Sequence, residues 1–413
     1  MIGAGIVGVN CAAELQSLGH QVTLLDRKGI GEECSKGNAG HFATEQVFPL
    51  AEFSLLPQLP KMLLDPLGPV ALRPGYIPIA LPWFIRFITN MFASKRQHNK
   101  AALQAINQHA IACYQERLKA ANASELLILQ GSLLVFEETP KELVEAHYRQ
   151  YRDAGVAIEL LNREQALALE PNLVDTVQHA LYFTEVGHTS NPHQVCHAIA
   201  DHCQRIGAVY KQFDVKSITH TLQGVVISNG SEQINFDRIV IACGVWSKTL
   251  LNTLGYNLPI EAERGYSLDL SCDSDNPLLN RPVASAERRF IMTPMSHGLR
   301  LAGTVEFAGL EHPANMSRAD KLFDNAKHVI KTIPDYDANN AQEGQRWMGS
   351  RPSLPDSLPV IGQAPKHENI YLALGHQHLG LTLGAITGKL IGQLINESPT
   401  DIDLAPFNIS RFN

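Results

Sequence analysis

The 413-residue chain is long enough for two domains, each able to bury its own core. Its 34 Lys and Arg against 41 Asp and Glu, a net charge of -7, provide no basic face for a phosphate backbone, so no nucleic-acid partner is expected. The seven cysteines form no C-x-x-C pair and no spacing typical of zinc or a disulfide framework. They read as reduced thiols in a cytoplasm, with no metal, and the N-terminus lacks the basic stretch of a signal peptide.

The opening MIGAGIVGVNCAAELQSLGHQVTLLDR predicts turn, helix and strand. Ala12, Ala13, Leu15 and Leu18 form the apolar stripe, Gly19 is the stop and Val22 to Leu25 the strand. Only Met1 and Ile2 precede Gly3, where a buried parallel strand needs several apolar residues, so the native chain is expected to begin a few residues earlier.

Residues 46 to 185 contain few glycines and suggest a separate lobe, with helices near 99 to 121 and 140 to 154 around a strand from Gly131 to Phe136. Within it, Tyr76 to Ala93 (YIPIALPWFIRFITNMFA) is apolar but broken by Pro78, Pro82, Arg86 and Asn90, which argues against a membrane span. Two readings stay open: a buried or capping helix, and an interfacial helix resting on a membrane.

The α/β pattern then returns. Pro192 opens a helix through Ile206 and Gly207 ends it, followed by strands at Val209 to Ile218, Val225 to Ser228 and Ile239 to Cys243. From Glu261 to Phe307, alternation across turn signals predicts antiparallel strands, and the chain ends on a strand, Ile370 to Leu374, and a glycine-rich helix from about Leu379 to Ile395.

Gly3-Ala4-Gly5-Ile6-Val7-Gly8 fits G-x-G-x-x-G. The first glycine permits the tight turn, the second lets backbone approach a pyrophosphate, and the third lets helix pack on strand. Asp26, at the end of the next strand, stands where a carboxylate can accept from a ribose hydroxyl. NAD and FAD share this fingerprint. Three other strings favour FAD: the small-residue loop Cys34 to His41, the apolar strand ending at Cys243-Gly244, and Gly375 to Thr382 opening a helix whose positive end suits a reduced flavin.

Taken together, the fingerprint, GNAGH, RGYSLDL at 264 to 270, RFIMTPMSHGLRLAGTVEF, GSRPSLPDSLPVIG at 349 to 362 and GHQHLGLT resemble the FAD-dependent D-amino acid oxidase superfamily, in particular its D-amino acid dehydrogenase branch. The resemblance spans essentially the whole chain. It implies an α/β (α+β overall) fold: a Rossmann-like FAD-binding domain with a discontinuous second domain built on an antiparallel sheet with helices. The expected division is 1–45, 186–260 and 340–413 for FAD, and 46–185 and 261–339 for substrate.

For the cofactor the resemblance implies Gly3, Gly5, Ile6, Val7, Gly8, Asp26 and Arg27 around the adenosine and pyrophosphate. Ser35, Asn38, Ala39 and Gly40 match the loop under the flavin, Val215 the adenine contact, and Gly375, Gly380, Leu381 and Thr382 the pyrimidine end of the ring. Arg351 matches the arginine that grips the substrate carboxylate, where a guanidinium fork binds in two places. Tyr266 matches a tyrosine that closes over the substrate, and His376 and His378 flank the flavin face, with structural roles equally open for them.

The implied reaction is hydride transfer from a D-amino acid to flavin N5, giving an imine or 2-oxo acid, with electrons passed to a quinone or another carrier. Gln377-His378 and HFATEQVFPLAE at 41 to 52 lean toward D-proline or D-hydroxyproline. An oxygen-using glycine or sarcosine type oxidase and a flavin-bearing subunit of a larger complex are the alternatives. The expected location is cytoplasmic, with peripheral contact at the inner face of the membrane.

Overall fold

The computed structural model describes residues 1–57, 65–221, 224–272 and 276–412. Its first turn is built from two glycines that cannot be replaced. Gly3 has φ +102° and a Cβ there would lie 2.5 Å from the Ala242 carbonyl oxygen, while a Cβ on Gly8 would lie 1.9 Å from the Gly3 carbonyl oxygen. Helix Ile6–Ser17 leaves this turn, buries Val9, Cys11, Ala12, Ala13 and Leu15, and returns through Gly19 to strand Thr23–Asp26.

Ile2 does the work of a whole strand. It bridges in parallel to Leu25 on one side and Ile241 on the other. Around it the layer runs Val209–Gln212, Thr23–Asp26, Ile2, Ile239–Ile241 and His367–Leu374, with antiparallel Val360–Ala364 at the edge. Ile239, Val240 and Ile241 are all buried, as parallel strands covered on both faces require.

The C-terminal helix, Gly380–Ile395, lies directly on the first. Its glycines at every fourth position form the contact stripe: a Cβ on Gly388 would come within 2.7 Å of Asn10 O, and one on Gly392 within 2.8 Å of Glu14 Cγ. The helix backbones therefore touch.

Among the described residues the larger sheet has nine strands, in the order Arg346–Ser353, Glu261–Ser271, Gly298–Phe307, Phe290–Met295, Val283–Ser285, Ser132–Phe136, His179–Phe183 and Ile158–Asn162, with Val70–Leu72 beside Gly298–Phe307. The antiparallel second sheet is thus present, but Arg346–Ser353, expected with the cofactor part, belongs to it through pairing with Glu261–Ser271.

Two further expectations change in detail. The long helix near 99 to 121 is two, Ala93–Asn107 and Ala110–Ala120; the break carries no Gly or Pro and falls where buried Asn107 donates to Gln46 O at 3.1 Å. The strand from 209 to 218 is also two, Val209–Gln212 and Ser217–Thr221, the second pairing in a separate three-stranded sheet.

The apolar segment forms helix Ile77–Thr89, with Pro82 inside it. Ala80 and Trp83 face inward, and Trp83 stacks on Phe87 with ring centroids 5.1 Å apart. Ile79, Leu81, Ile85 and Ile88 face outward, Ile79 being 63% exposed. Among the described residues no single helix is long and apolar enough to cross a membrane.

Valine at Gly388 has no room against the backbone of the first helix. Gly388→Val is expected to destabilise the protein by about 1 to 3 kcal/mol, read as a lower urea midpoint at unchanged slope.

Candidate cofactor and substrate site

A cavity of about 510 Å³ opens beyond the carboxyl ends of the parallel strands, where α/β sheets bind ligands. Its wall contains Gly3, Gly5, Ile6, Val7, Asp26, Arg27, Ser35, Asn38, Val215, Cys243, Gly244, Gly375, Gly380 and Leu381. These come from six separate stretches of chain that the sheet brings together.

Each stretch is held by specific bonds. Asp26 Oδ2 accepts from Ala4 N–H at 2.8 Å and Oδ1 from Lys28 and Gly29 N–H at 2.8 and 3.1 Å, so the carboxylate ties the glycine turn to the strand end. Ser35 Oγ accepts from Ile6 N–H at 2.9 Å and caps the first helix. Arg27 lies 4.0 Å over the Trp246 ring and pairs with Glu33 at 2.7 Å. Asn38 O accepts from Arg300 at 2.7 Å, itself gripped at both ends by Asp269.

Four of the cofactor residues expected from sequence are not in this wall: Gly8, Ala39, Gly40 and Thr382. Three of them frame it. Gly8 closes the turn, Gly40 has φ +72° with a Cβ position 2.6 Å from Thr189 O, and Thr382 Oγ1 accepts from Ala43 N–H at 2.9 Å.

The cavity suits a dinucleotide. At Gly244 and Gly380 the Cβ position meets nothing closer than 3.8 Å, so any side chain there would fill cavity space, and at Gly5 it meets only Ser35 Oγ, at 3.4 Å. A helix N-terminus faces the middle and a carboxylate stands at one end, the donors and acceptor that a pyrophosphate and a ribose need.

Arg351 belongs to the larger sheet and is not among the residues of the cavity wall, although its chain neighbours Ser350 and Pro352 are. It sits directly across from Glu263 in the sheet register, and its Nη1 donates to Glu263 Oε1 at 3.0 Å and Thr304 O at 3.3 Å. Glu263 is buried and also accepts from Ser353 Oγ. Arg351 Nε and Nη2 carry no hydrogen bond to the described residues, so part of the fork is open. Gly265 lies beneath it: a Cβ there would be 2.1 Å from Nη2.

Tyr266 does not join this group. Strand alternation turns it to the opposite face with Leu268, and its hydroxyl donates to Glu306 at 2.6 Å and accepts from Asn315 N–H at 3.1 Å. Fully buried there, it cannot close over a substrate; the family string marks a core position. His376 lines the cavity, but its Nε2 pairs with Thr387 Oγ1 at 2.9 Å and burial pushes its pKa down to about 3, so it is a neutral structural ring.

His378 is not among the residues of the cavity wall. Burial lowers its pKa to about 4, with Glu263 raising and Arg351 and His41 lowering it, which places it among those groups. His41 pairs across strands with His188, and burial holds both near pKa 4. Buried Glu45, 3.8 Å from His41, is pushed up to about 7 by burial. His41 Nε2, Glu45 Oε2 and His188 Nδ1 lack hydrogen-bond partners among the described residues.

Sequence reading missed Glu263, Glu45, His188 and Trp246. A signal existed for two: Glu263 directly precedes RGYSLDL, and His41 and Glu45 are four apart in HFATEQ.

A Rossmann-like layer with a dinucleotide cavity, roofed by a large antiparallel sheet that carries an arginine, defines a two-part flavin oxidoreductase. The chain belongs to the DAO family of FAD dependent oxidoreductases, whose model matches residues 1–394. FAD is therefore its cofactor, the Rossmann-like reading of the fold holds, and the chain is an enzyme.

Among relatives, a D-amino-acid oxidase of Bradyrhizobium diazoefficiens is 34% identical over 419 residues, covering 100% of this chain and 98% of that protein. A D-amino acid dehydrogenase of Vibrio vulnificus is 27% identical, covering 98% of each. The solved glycine oxidase of Geobacillus kaustophilus superposes with a TM-score of 0.73 at 22% identity, covering 99% of this chain and 97% of that one, a likeness of fold.

The buried histidines set an acid limit on stability. The pKa of His41, His188, His376 and His378 is near 3 to 4 in the fold against 6.5 unfolded, so on unfolding in this window each takes up a proton. Glu45 works oppositely, because its pKa is higher in the fold. The histidines outnumber it, so stability falls as pH drops from 6.5 toward 4, by about 1.4 kcal/mol per pH unit for each net proton. Urea unfolding of His376→Asn across this range should show a slope shallower by about one proton.

Proposed function

We propose that the chain dehydrogenates D-amino acids, with D-proline and D-hydroxyproline as the leading substrates, and passes electrons to a quinone or another carrier. The observation that carries the reading is Arg351: a partly open guanidinium fork, held by a buried carboxylate on the sheet that roofs the flavin cavity. The division into a cofactor part (1–45, 186–260, 340–413) and a substrate part (46–185, 261–339) is proposed with one amendment, the strand Arg346–Ser353 serving the substrate part. The names of both sequence relatives support a D-amino acid substrate.

When bound, flavin supplies the hydride acceptor. The protein's work is positioning. Arg351 takes the substrate carboxylate, and Glu263 fixes the arginine while offsetting part of its charge. Neutral His41 and His378 place no positive ring beside the substrate amine. Gln377, with φ +51° and its amide donating to Leu354 O at 2.7 Å, shapes the wall at the start of the last helix.

Carrier use is proposed from the outward face of helix Ile77–Thr89. Ile79, Leu81, Ile85 and Ile88, joined by exposed Phe92, make an apolar surface suited to the interfacial layer of a membrane. We place the protein in the cytoplasm, peripheral at the inner face of that membrane. The name of the Bradyrhizobium relative favours a second reading, direct use of oxygen.

Arg351→Lys keeps a charge for Glu263 and should leave folding and flavin absorbance near wild type. Losing the two-point grip should cost about 2 to 5 kcal/mol in transition-state binding, roughly a 30- to 5000-fold fall in kcat/KM for D-amino acids under anaerobic flavin reduction. Wild-type turnover by this variant would place the anchor elsewhere.

The acceptor is tested separately. The holoenzyme should sediment with anionic liposomes, Ile79→Asp/Ile85→Asp should abolish this, and quinone or dye reduction should far outpace peroxide formation. A protein that stays in the supernatant and makes one peroxide per substrate is the oxidase.

A further inference from the structure

Away from the flavin cavity, the described residues gather one other set of ligating side chains: Glu32, His193 and His197. The two histidines are one turn apart on helix Pro192–Arg205, so they project from the same face. That helix is fixed at its start by the Asn191 side chain, which accepts from Gln194 N–H at 3.0 Å. Glu32 arrives from the loop after Asp26, and Gly31 holds this loop hard against the helix. Its N–H donates to Ala4 O at 2.9 Å, and a Cβ on it would lie 3.0 Å from both His193 Cδ2 and Cys196 Cβ.

His193 Nε2 lies 3.0 Å from Glu32 Oε1 and 3.3 Å from His197 Nε2. All three ligand atoms lie within 4.8 Å of one another. A tetrahedral ion with bonds of about 2.0 to 2.1 Å sets its ligand atoms roughly 3.3 Å apart, which is the spacing found for the histidine pair. Hydrogen bonding serves the cluster less well, since His193 Nε2 meets both partners with a single proton or a single lone pair. Lys36 holds the other oxygen of Glu32, Oε2, at 2.9 Å and leaves Oε1 toward the histidines.

We propose that Glu32, His193 and His197 form a binding site for a divalent transition-metal ion of the zinc class, with water completing the shell. The same loop supplies Cys34, Ser35 and Asn38 to the flavin cavity wall, and Ser35 caps the first helix. An ion at this site therefore cross-links the flavin loop to helix Pro192–Arg205 and slows cofactor release. It is a clamp on the cofactor, remote from the reacting atoms.

The test uses FAD-loaded protein, stripped of metal with a chelator and dialysed against zinc chloride. Wild type should hold one equivalent of zinc more than His193→Ala/His197→Ala, the comparison that removes any zinc taken by cysteines. Glu32→Gln should weaken this equivalent by at least about tenfold. Zinc should raise the melting temperature of wild type and slow FAD release, followed by the rise of free-flavin fluorescence, with neither change in the double variant. Equal zinc content in wild type and the double variant overturns the site. Zinc bound at the three residues with an unchanged rate of FAD release overturns the clamp.

Discussion

Gly8 lies so close to the carbonyl of Gly3 that a single added carbon would sit 1.9 Å from oxygen. The first turn of the cavity wall depends on this contact. It lets helix Ile6–Ser17 begin immediately under the sheet, so its N-terminus opens into the cavity and not to one side of it. Asp26 then locks the arrangement by accepting from Ala4 N–H, while Ser35 takes the first orphan amide of the helix. On the far side, the glycine stripe of Gly380–Ile395 allows that helix to lie backbone to backbone on the first. Two helix starts, from opposite ends of the chain, thus face one cavity.

Electrostatics on the substrate side follow a complementary logic. Glu263 is buried, and a lone carboxylate there would be costly; Arg351 and Ser353 satisfy it. The ion pair in turn keeps Arg351 in one rotamer without using its whole fork. Histidines beside this pair are held neutral by burial. Arg300, the neighbouring cation on the sheet, is already occupied by Asp269 and by the carbonyls of Lys36 and Asn38.

Much of the cofactor half was legible because its constraints are local. Turn glycines, a strand-end acid and an apolar strand closing on Cys243-Gly244 are set by backbone geometry, and geometry of that kind leaves a spacing in the sequence. The rest depends on long-range pairing, which leaves none. Arg346–Ser353 joins the larger sheet because Glu261–Ser271 is there to pair with it, some eighty residues away in the chain. Tyr266 was misread because one residue of strand parity decides its face, and the register shift between Arg264 and Tyr266 is set by the partner strand. His41 meets His188 only after folding, and His193 and His197, although four apart on a readable helix, gain a third partner only when the flavin loop packs against them.

The surface helix and Arg351 are joined by a chain of hydrogen bonds. Trp83, the inward residue of helix Ile77–Thr89, donates through Nε1 to Ser353 O at 3.2 Å. Ser353 donates through Oγ to Glu263 Oε2 at 3.1 Å, and Glu263 holds Arg351 at 3.0 Å. Each link is buried or partly buried, where hydrogen bonds are strong and poorly exchanged for water. The apolar outer face of the helix therefore sits on a support that ends at Arg351. Proline at position 82 removes one helical hydrogen bond from that support, and the stacking of Trp83 on Phe87 and its packing against Phe307 restore rigidity across the gap. The exposed apolar face and the Arg351 guanidinium are thereby joined through side chains and one backbone carbonyl, without any segment of the chain running directly between them.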